Sequence, residues 1–457
     1  MNFPAYPEYK PSGLDWLEGV PAHWENRKIA RDLPFVVGWT PSSGRDEYYD
    51  GDLPWVTIAD MTQKLVKDTK SKISRLAVQE RGAKVVPAGS MLFSFKLTVG
   101  KVAFLATDSY TNEAIAGFFP DGKFDLEYWK YAAAEFIPRY GRENIYGATL
   151  LNQELIGSVR FYAPAQAEQT QIARFLNHET ARIDALIEEQ QRLIELLKEK
   201  RQAVISHAVT KGLDHTAPMK ESGVEWLGEV PAHWVVCTAR RVIRLIEQGW
   251  SPECESYPAE EDGWGVLKAG CVNGGFFDAS ENKTLPSTLK PIPEYEVRAG
   301  DILMSRASGS PELVGSTALL GQVRERLMLS DKIFRIHLEE KVSSQFFVWV
   351  MNSQFMRSQI EQALSGGNGL ANNLPQSSLL AFWLAMPPEH EQGAIAELIN
   401  KQIGRIDELV VEGEAAVELL QERRSALISA AVTGKIDVRG WQPPASFTSP
   451  ELAQEAV

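Results

Sequence analysis

Glu168-Gln-Thr-Gln-Ile-Ala173 opens a stretch that runs to Asp214, and Glu391-Gln-Gly-Ala-Ile-Ala396 opens a second that runs to Asp437. At a constant offset of 223 the two share Arg-Ile-Asp at 182/405, Leu-Leu at 196/419 and Ile-Ser-x-Ala-Val-Thr at 205/428, with no gap. Apolar residues recur three and four apart, at Ile172, Leu176, Ile183, Leu186, Leu193 and Leu197, and at Ile395, Ile399, Ile406, Leu409, Leu420 and Leu427. That spacing predicts one apolar stripe on a helix otherwise faced with Glu, Gln, Lys and Arg. Neither stretch contains an internal proline, and at about 1.5 Å per residue each can extend on the order of 60 Å. A helix of that length cannot bury its stripe alone, so the two are expected to bury against each other as an antiparallel coiled coil. Gly404 and Gly413 weaken the second copy locally.

The duplication continues outside the helices. Lys10-Pro-Ser-Gly-Leu-Asp-Trp-Leu-Glu-Gly-Val-Pro-Ala-His-Trp24 returns, shifted by 210, as Lys220-Glu-Ser-Gly-Val-Glu-Trp-Leu-Gly-Glu-Val-Pro-Ala-His-Trp234. Ala88–Ser94 echoes Ala299–Ser305, Val99-Gly100 echoes Val314-Gly315, and Leu151-Asn-Gln153 echoes Leu374-Pro-Gln376. The frames are alike and the middles have diverged. The expected organisation is a globular domain over 1–164, a long helix over 165–214, a second globular domain over 215–386, a second long helix over 387–437 and a Pro-rich, disordered tail over 438–457.

Each globular part reads as mixed α+β. Strands are expected at Trp55–Ala59, Met91–Phe95, Val102–Ala106, Ile115–Phe119 and Ser158–Tyr162, and near Val266, Ile302, Thr317 and Ile333. Helices are expected at Ile73–Arg81, at Asp125–Phe136 opening on a capping Asp, and at Val342–Leu364. The pattern is not that of a doubly wound nucleotide fold. Antiparallel helices would relate the two copies by an internal pseudo-two-fold, a symmetry that suits two half-sites on duplex DNA.

Composition narrows the function classes. The formal charge of −13 argues against bulk electrostatic binding of nucleic acid. Its distribution matters more: residues 1–164 hold 19 Lys+Arg against 20 Asp+Glu, whereas 387–457 hold 6 against 12. Within the first domain, Met61–Lys101 carries nine basic residues against Asp68 and Glu80, so one face can be basic. No signal-like leader or long apolar run is present, and a cytoplasmic location is expected. Cys237, Cys254 and Cys271 form no Cys-x-x-Cys pair and are expected to be reduced and structural.

Catalytic signatures are missing. The Pro-Pro pairs follow Met386 and Gln442, which does not make the Asn/Asp-Pro-Pro-Tyr/Phe motif of adenine methyltransferases, and no Gly-x-x-x-x-Gly-Lys-Ser/Thr loop is present. Glu339-Glu-Lys341 lacks the upstream Pro-Asp partner of a metal nuclease. His23 and His233 fit packing against tryptophan better than metal binding.

The doubled Lys-x-Ser-Gly-x-x-Trp-Leu-x-x-Val-Pro-x-His-Trp motif and the paired Glu-Gln-x-x-Ile-Ala helices resemble the DNA-specificity subunits of type I restriction-modification enzymes, over almost the whole chain. That resemblance implies a non-catalytic subunit. Its two target-recognition domains each read half of a bipartite sequence in double-stranded DNA, and its helices set the spacer. It also implies two modification (methyltransferase) subunits, which carry S-adenosylmethionine and dock along the helices, and restriction subunits using ATP and Mg that can join; this chain itself would hold no cofactor or metal. The rival reading is a non-DNA assembly scaffold with two protein-interaction domains.

Base reading needs donors and acceptors on groove-entering loops, and phosphate contact needs cations, hydroxyls or free N–H groups. Three loop pairs meet this. The first holds Lys96, Thr98 and Lys101, matched by Arg306, Ser308 and Ser310, with Lys96 and Arg306 just past the strand serine as the leading pair. The second holds Arg142, Asn144 and Tyr146, matched by Asn368, Asn372 and Asn373. The third is the cluster around Lys64 and Lys67, with Lys268 and Asn273 its thinner counterpart. Partner-docking candidates on the helices are Ile183, Leu186, Leu197, Ile406, Leu409 and Leu420.

Overall fold

The computed structural model describes residues 3–120, 123–143, 149–365 and 372–443. The two long helices span Gln166–Lys211 and Glu389–Val432. The chain forms two compact units, one from Met1–Glu189 with Ala416–Val457 and one from Gln190–Ala415. These cut across the expected division into domains and rods, because each long helix gives its first part to one unit and its last part to the other.

Within each unit the helix segments run antiparallel. In the first, Gln171 Nε2 donates to the carbonyls of Val438 and Trp441 at 3.0 and 2.6 Å, and Arg424 Nε donates to Asp184 at 2.7 Å. In the second, Lys198 meets Glu414 at 3.2 Å and Arg201 meets Asp407 at 2.9 Å. At the offset of 223, Asp184–Arg424 and Asp407–Arg201 are the same ion pair made twice.

The buried positions differ from the expected stripe. Ile172, Ile183, Ile194 and Ile205, spaced eleven apart, are all buried, whereas Leu186, Leu193 and Leu409 are exposed. Eleven residues are close to three full α-helical turns, so these isoleucines recur on one face of the helix. Gly413 supports this packing instead of weakening it: a Cβ there would lie 3.0 Å from Ile194.

The repeated residues have repeated tasks. Glu168 accepts from the Trp24 indole at 3.0 Å and lies 2.8 Å from His23 Nε2; Glu391 does the same for Trp234 at 3.1 Å and His233 at 2.8 Å. Gln169 accepts from the N–H of Asp125, the cap of helix Leu126–Phe136, and Gln392 accepts from that of Ser343, the cap of helix Ser344–Met351. Lys10 and Lys220 each donate to the carbonyl of the closing tryptophan, at 2.5 and 2.6 Å. Gly212 and Gly434 end the long helices in the left-handed region, where added side chains would meet Trp234 and Pro21 respectively.

The diverged middles keep one sheet order. In the first unit Phe35–Val37, Ile115–Phe118, Met91–Ser94, Val102–Leu105 and Leu65–Val66 lie side by side; in the second, Ile243–Gln248, Ile333–Leu338, Ile302–Ser305 and Thr317–Leu319 do. A smaller sheet sits beside each, with parallel pairs Tyr110–Thr111 on Leu53–Val56 and Leu327–Met328 on Gly265–Leu267.

Several local expectations need correction. The strand at Trp55 ends at Val56, because Thr57 and Asp60 close a capping box over a 3-10 turn. Asn152 caps a helix over Gln153–Ser158, so the next strand starts at Arg160. The helix expected over 342–364 is two helices, Ser344–Met351 and Gln354–Ser365. Asn352 donates across to Thr317 O at 2.7 Å, and the Ser353 hydroxyl accepts from Met356 N, starting the second helix. The tail does not loosen at 438, since Val438 is buried and Trp441 packs edge-on against Phe175. Residues beyond 443 lie outside the described residues. The three cysteines are free thiols, and burial pushes that of Cys271 up to about 12.

Apolar burial should dominate the interhelix ion pairs. Leu176 is fully buried, so Leu176→Ala is expected to cost about 2–5 kcal/mol. Asp184 and Arg424 are 47% and 37% exposed, and Asp184→Ala should cost at most about 1 kcal/mol. Urea unfolding of the two variants checks the ranking.

Candidate nucleic-acid interface

In the first unit a hairpin of two apolar strands, Met91–Ser94 and Val102–Leu105, presents the loop that holds Lys96, Thr98 and Lys101. Ser94 anchors it: its hydroxyl donates to Thr98 O and accepts from Lys101 N at 3.1 Å, and its carbonyl accepts from Gly100 N at 2.9 Å. The tip residue Leu97 has φ +61° and is 96% exposed. Lys101 Nζ lies 3.5 Å from Ile58 O, and Phe104 N donates to Lys64 O at 2.8 Å. The fold therefore brings Lys64 to the edge of the hairpin, where it shares a cavity of about 310 Å³ with Gly100, Lys130 and Arg424. Lys67 is exposed on the same edge segment.

In the second unit the loop after Ser305 and the segment Asn372–Asn373 come together as strands, with Ala307 opposite Asn373 and Ser308 opposite Asn372. Asn372 Nδ2 donates to Gly309 O at 3.2 Å, and Ser310 N donates to Ser308 Oγ at 3.2 Å. Arg306 is partly turned inward, over the Phe334 ring at 5.6 Å and donating to Asp331 O at 3.2 Å. Arg306 and Lys96 are not strict equivalents. Arg306 follows Ser305 directly, whereas buried Phe95 stands between Ser94 and Lys96.

The remaining candidates scatter. Lys268 lies 3.7 Å from Glu281, which offsets its charge, and Asn273 is exposed in a kinked 3-10 segment. Arg142 pairs with Leu150 in a short ladder and lines a separate cavity of about 280 Å³. Asn144, Tyr146 and Asn368 lie outside the described residues. On the helices, Ile183 and Ile406 are buried, Leu186 and Leu409 exposed, and Leu197 and Leu420 half-buried.

One repeated element escaped the sequence reading. Gly38-Trp-Thr-Pro41 and Gly249-Trp-Ser-Pro252 occupy matching places at an offset of 211. Trp39 N donates to Thr111 O at 2.9 Å and Trp250 N to Leu329 O at 3.1 Å. The Thr40 hydroxyl donates to the Glu113 carboxylate, and the Ser251 hydroxyl to that of Asp331. In the first unit this element borders an open cleft of about 620 Å³ lined by Trp39, Thr40, Tyr48, Arg81 and Glu113. Four residues are too short to stand out in a diverged region, and their partners are contributed by distant strands.

Both glycines are dictated by close approach: a Cβ on Gly38 would lie 1.9 Å from Thr111 O, and one on Gly249 2.0 Å from Leu329 O. Gly38→Ala and Gly249→Ala are each expected to cost about 1–3 kcal/mol or more through overpacking. Urea unfolding midpoints measure this, and an unchanged midpoint would contradict it.

Comparisons with known proteins fit this geometry. Residues 21–197 match the family described as type I restriction modification DNA specificity domain. The type I restriction enzyme EcoEI specificity subunit of Escherichia coli is 34% identical over 206 residues, 45% of this chain and 34% of that protein. The EcoKI specificity subunit of Escherichia coli strain K12 is 23% identical over 286 residues, 61% of this chain and 58% of that protein. The chain thus spans less than two thirds of the length of these relatives. A chain solved under the description "Structural basis underlying complex assembly and conformational transition of the type I R-M system" has TM-score 0.63 at 14% identity. That match covers 91% of this chain and 99% of the other, and it shows a shared fold. Residues 21–197 thus carry the family's DNA specificity domain, and the described fold is that of the chain from the type I R-M system.

Proposed function

We infer that this chain selects the DNA sequence on which a type I modification complex acts, and does no chemistry itself. The observation that carries the reading is the duplicated frame around two different middles. Glu168 and Glu391, Gln169 and Gln392, and the two Asp–Arg ion pairs repeat contact for contact, while the loops they support differ. Two like frames with unlike loops suit two unlike half-sites, and the helices that join them suit a spacer of set length.

Methyltransferase subunits carrying S-adenosylmethionine, and restriction subunits using ATP and Mg, would supply the activity. Exposed leucines recur at equivalent helix positions: Leu186 at 41% and Leu409 at 44%, Leu196 at 51% and Leu419 at 65%. A repeated exposed apolar pair on each unit fits two copies of one docking partner better than scattered surface leucines do. With a formal charge of −13, the chain alone has few cations to neutralise phosphates. Its partners therefore complete the basic clamp, and its own DNA affinity at physiological salt is weak.

Methyl transfer to duplex DNA should be measured with the chain alone, with its methyltransferase partner alone, and with both. Only the mixture is expected to modify one bipartite site; transfer at that site by the partner alone would favour a scaffold. Shortening both long helices by equal numbers of turns should change the spacer and leave the half-sites alone. An unchanged spacer would remove the helices from that role.

A further inference from the structure

Beside each leading basic residue stands an acidic one, whose carboxylate would repel a phosphate. In the first unit Ser94 lies opposite Ile115 and Phe95 N donates to Ala114 O at 2.9 Å, which sets Lys96 level with Glu113. In the second, Arg306 donates to Asp331 O at 3.2 Å and Lys332 Nζ lies 3.6 Å from the Asp331 carboxylate. Each carboxylate is held by the hydroxyl of the Gly-Trp-Thr/Ser-Pro element, and Asp331 N donates to Ser251 Oγ at 3.1 Å. The two copies use different residues, Thr or Ser and Glu or Asp, yet preserve the pairing of hydroxyl with carboxylate, while the neighbouring cation comes from a different place in each, Lys96 in the first and Lys332 in the second.

An ionised carboxylate only accepts, and its roughly four lone-pair sites leave capacity beyond one hydroxyl. In the major groove the donors on base edges are the exocyclic amines of cytosine and adenine. Phosphates, thymine O4 and guanine O6 offer such a carboxylate nothing. We propose that Glu113 and Asp331 each read one such amino group, Glu113 in one half of the recognised duplex and Asp331 in the other. This rests on the DNA-reading function inferred above. The Thr40 hydroxyl, and less strongly the charge of Lys96, hold the Glu113 carboxyl below its ordinary range against a smaller opposing desolvation. The group is therefore ionised at neutral pH and offers acceptors only.

The test uses the chain assembled with its methyltransferase partner and long-read methylation mapping of the modified genome. Glu113→Gln keeps an oxygen for the Thr40 hydroxyl but adds a donor, and Asp331→Asn does the same opposite Ser251. Each variant is expected to relax or change the base at one position in one half-site only, a different half for each, with discrimination there falling on the order of ten-fold or more. A merely structural carboxylate would leave the motif unchanged. An unchanged motif, or loss of modification at every sequence by a variant with a wild-type unfolding midpoint, overturns the assignment. Should either variant fail to fold, the wild-type complex is assayed on duplexes whose adenines or cytosines are replaced, one at a time, by analogues lacking the exocyclic amine. A half-site with no amine-dependent position overturns the proposal for that half. A wild-type complex with no motif at all would sink the DNA-reading function itself, a separate result.

Discussion

Glu168 and Glu391 each hold one carboxylate where an indole N–H and an imidazole converge, and the rest of the fold follows from where those contacts lie. Trp24 and Trp234 are buried, so their N–H groups need a partner inside the protein, and the first turn of a long helix supplies it. The adjoining glutamine secures the cap of a helix in the globular part. A dipeptide at the start of each rod thus orients both the opening motif and the domain that follows it. The middle can change its loops without loosening that frame.

Apolar burial, not ion pairing, does most of the holding along the rods. The four isoleucines spaced eleven apart in the first helix stay dry, and Gly413 admits Ile194 to close range. The charged pairs between helices are partly exposed and set register more than they add stability. What the pair leaves uncovered is informative too: two exposed leucines of each copy, Leu186 with Leu409 and Leu196 with Leu419, fall at equivalent positions.

Charge is divided in a similar way. The chain is acidic as a whole, yet the segment that builds the hairpin edge of the first unit is strongly basic. In the second unit the counterpart Lys268 is offset by Glu281, and Arg306 turns partly inward. The two units therefore present different electrostatic faces on the same sheet order. Carboxylates at matching positions of both faces supply acceptors that cations cannot.

The amino-acid sequence by itself determined the duplication, the two rods, the mixed α+β class and the resemblance to a family, because a repeat at fixed offset and a helical stripe are local patterns. It also placed the hairpin strands and the capped helix at Asp125, since short buried runs and capping residues act over a few positions. Only the tertiary structure decided which stripe residues are buried. Ile194, absent from the predicted stripe, packs while Leu193 does not, because a partner helix and not spacing selects the face. The break at Asn352 depends on a carbonyl at Thr317, far away in the chain. Thr40 with Glu113, and Ser251 with Asp331, were out of reach for the same reason: residues 73 and 80 positions apart share a bond only after strands have paired.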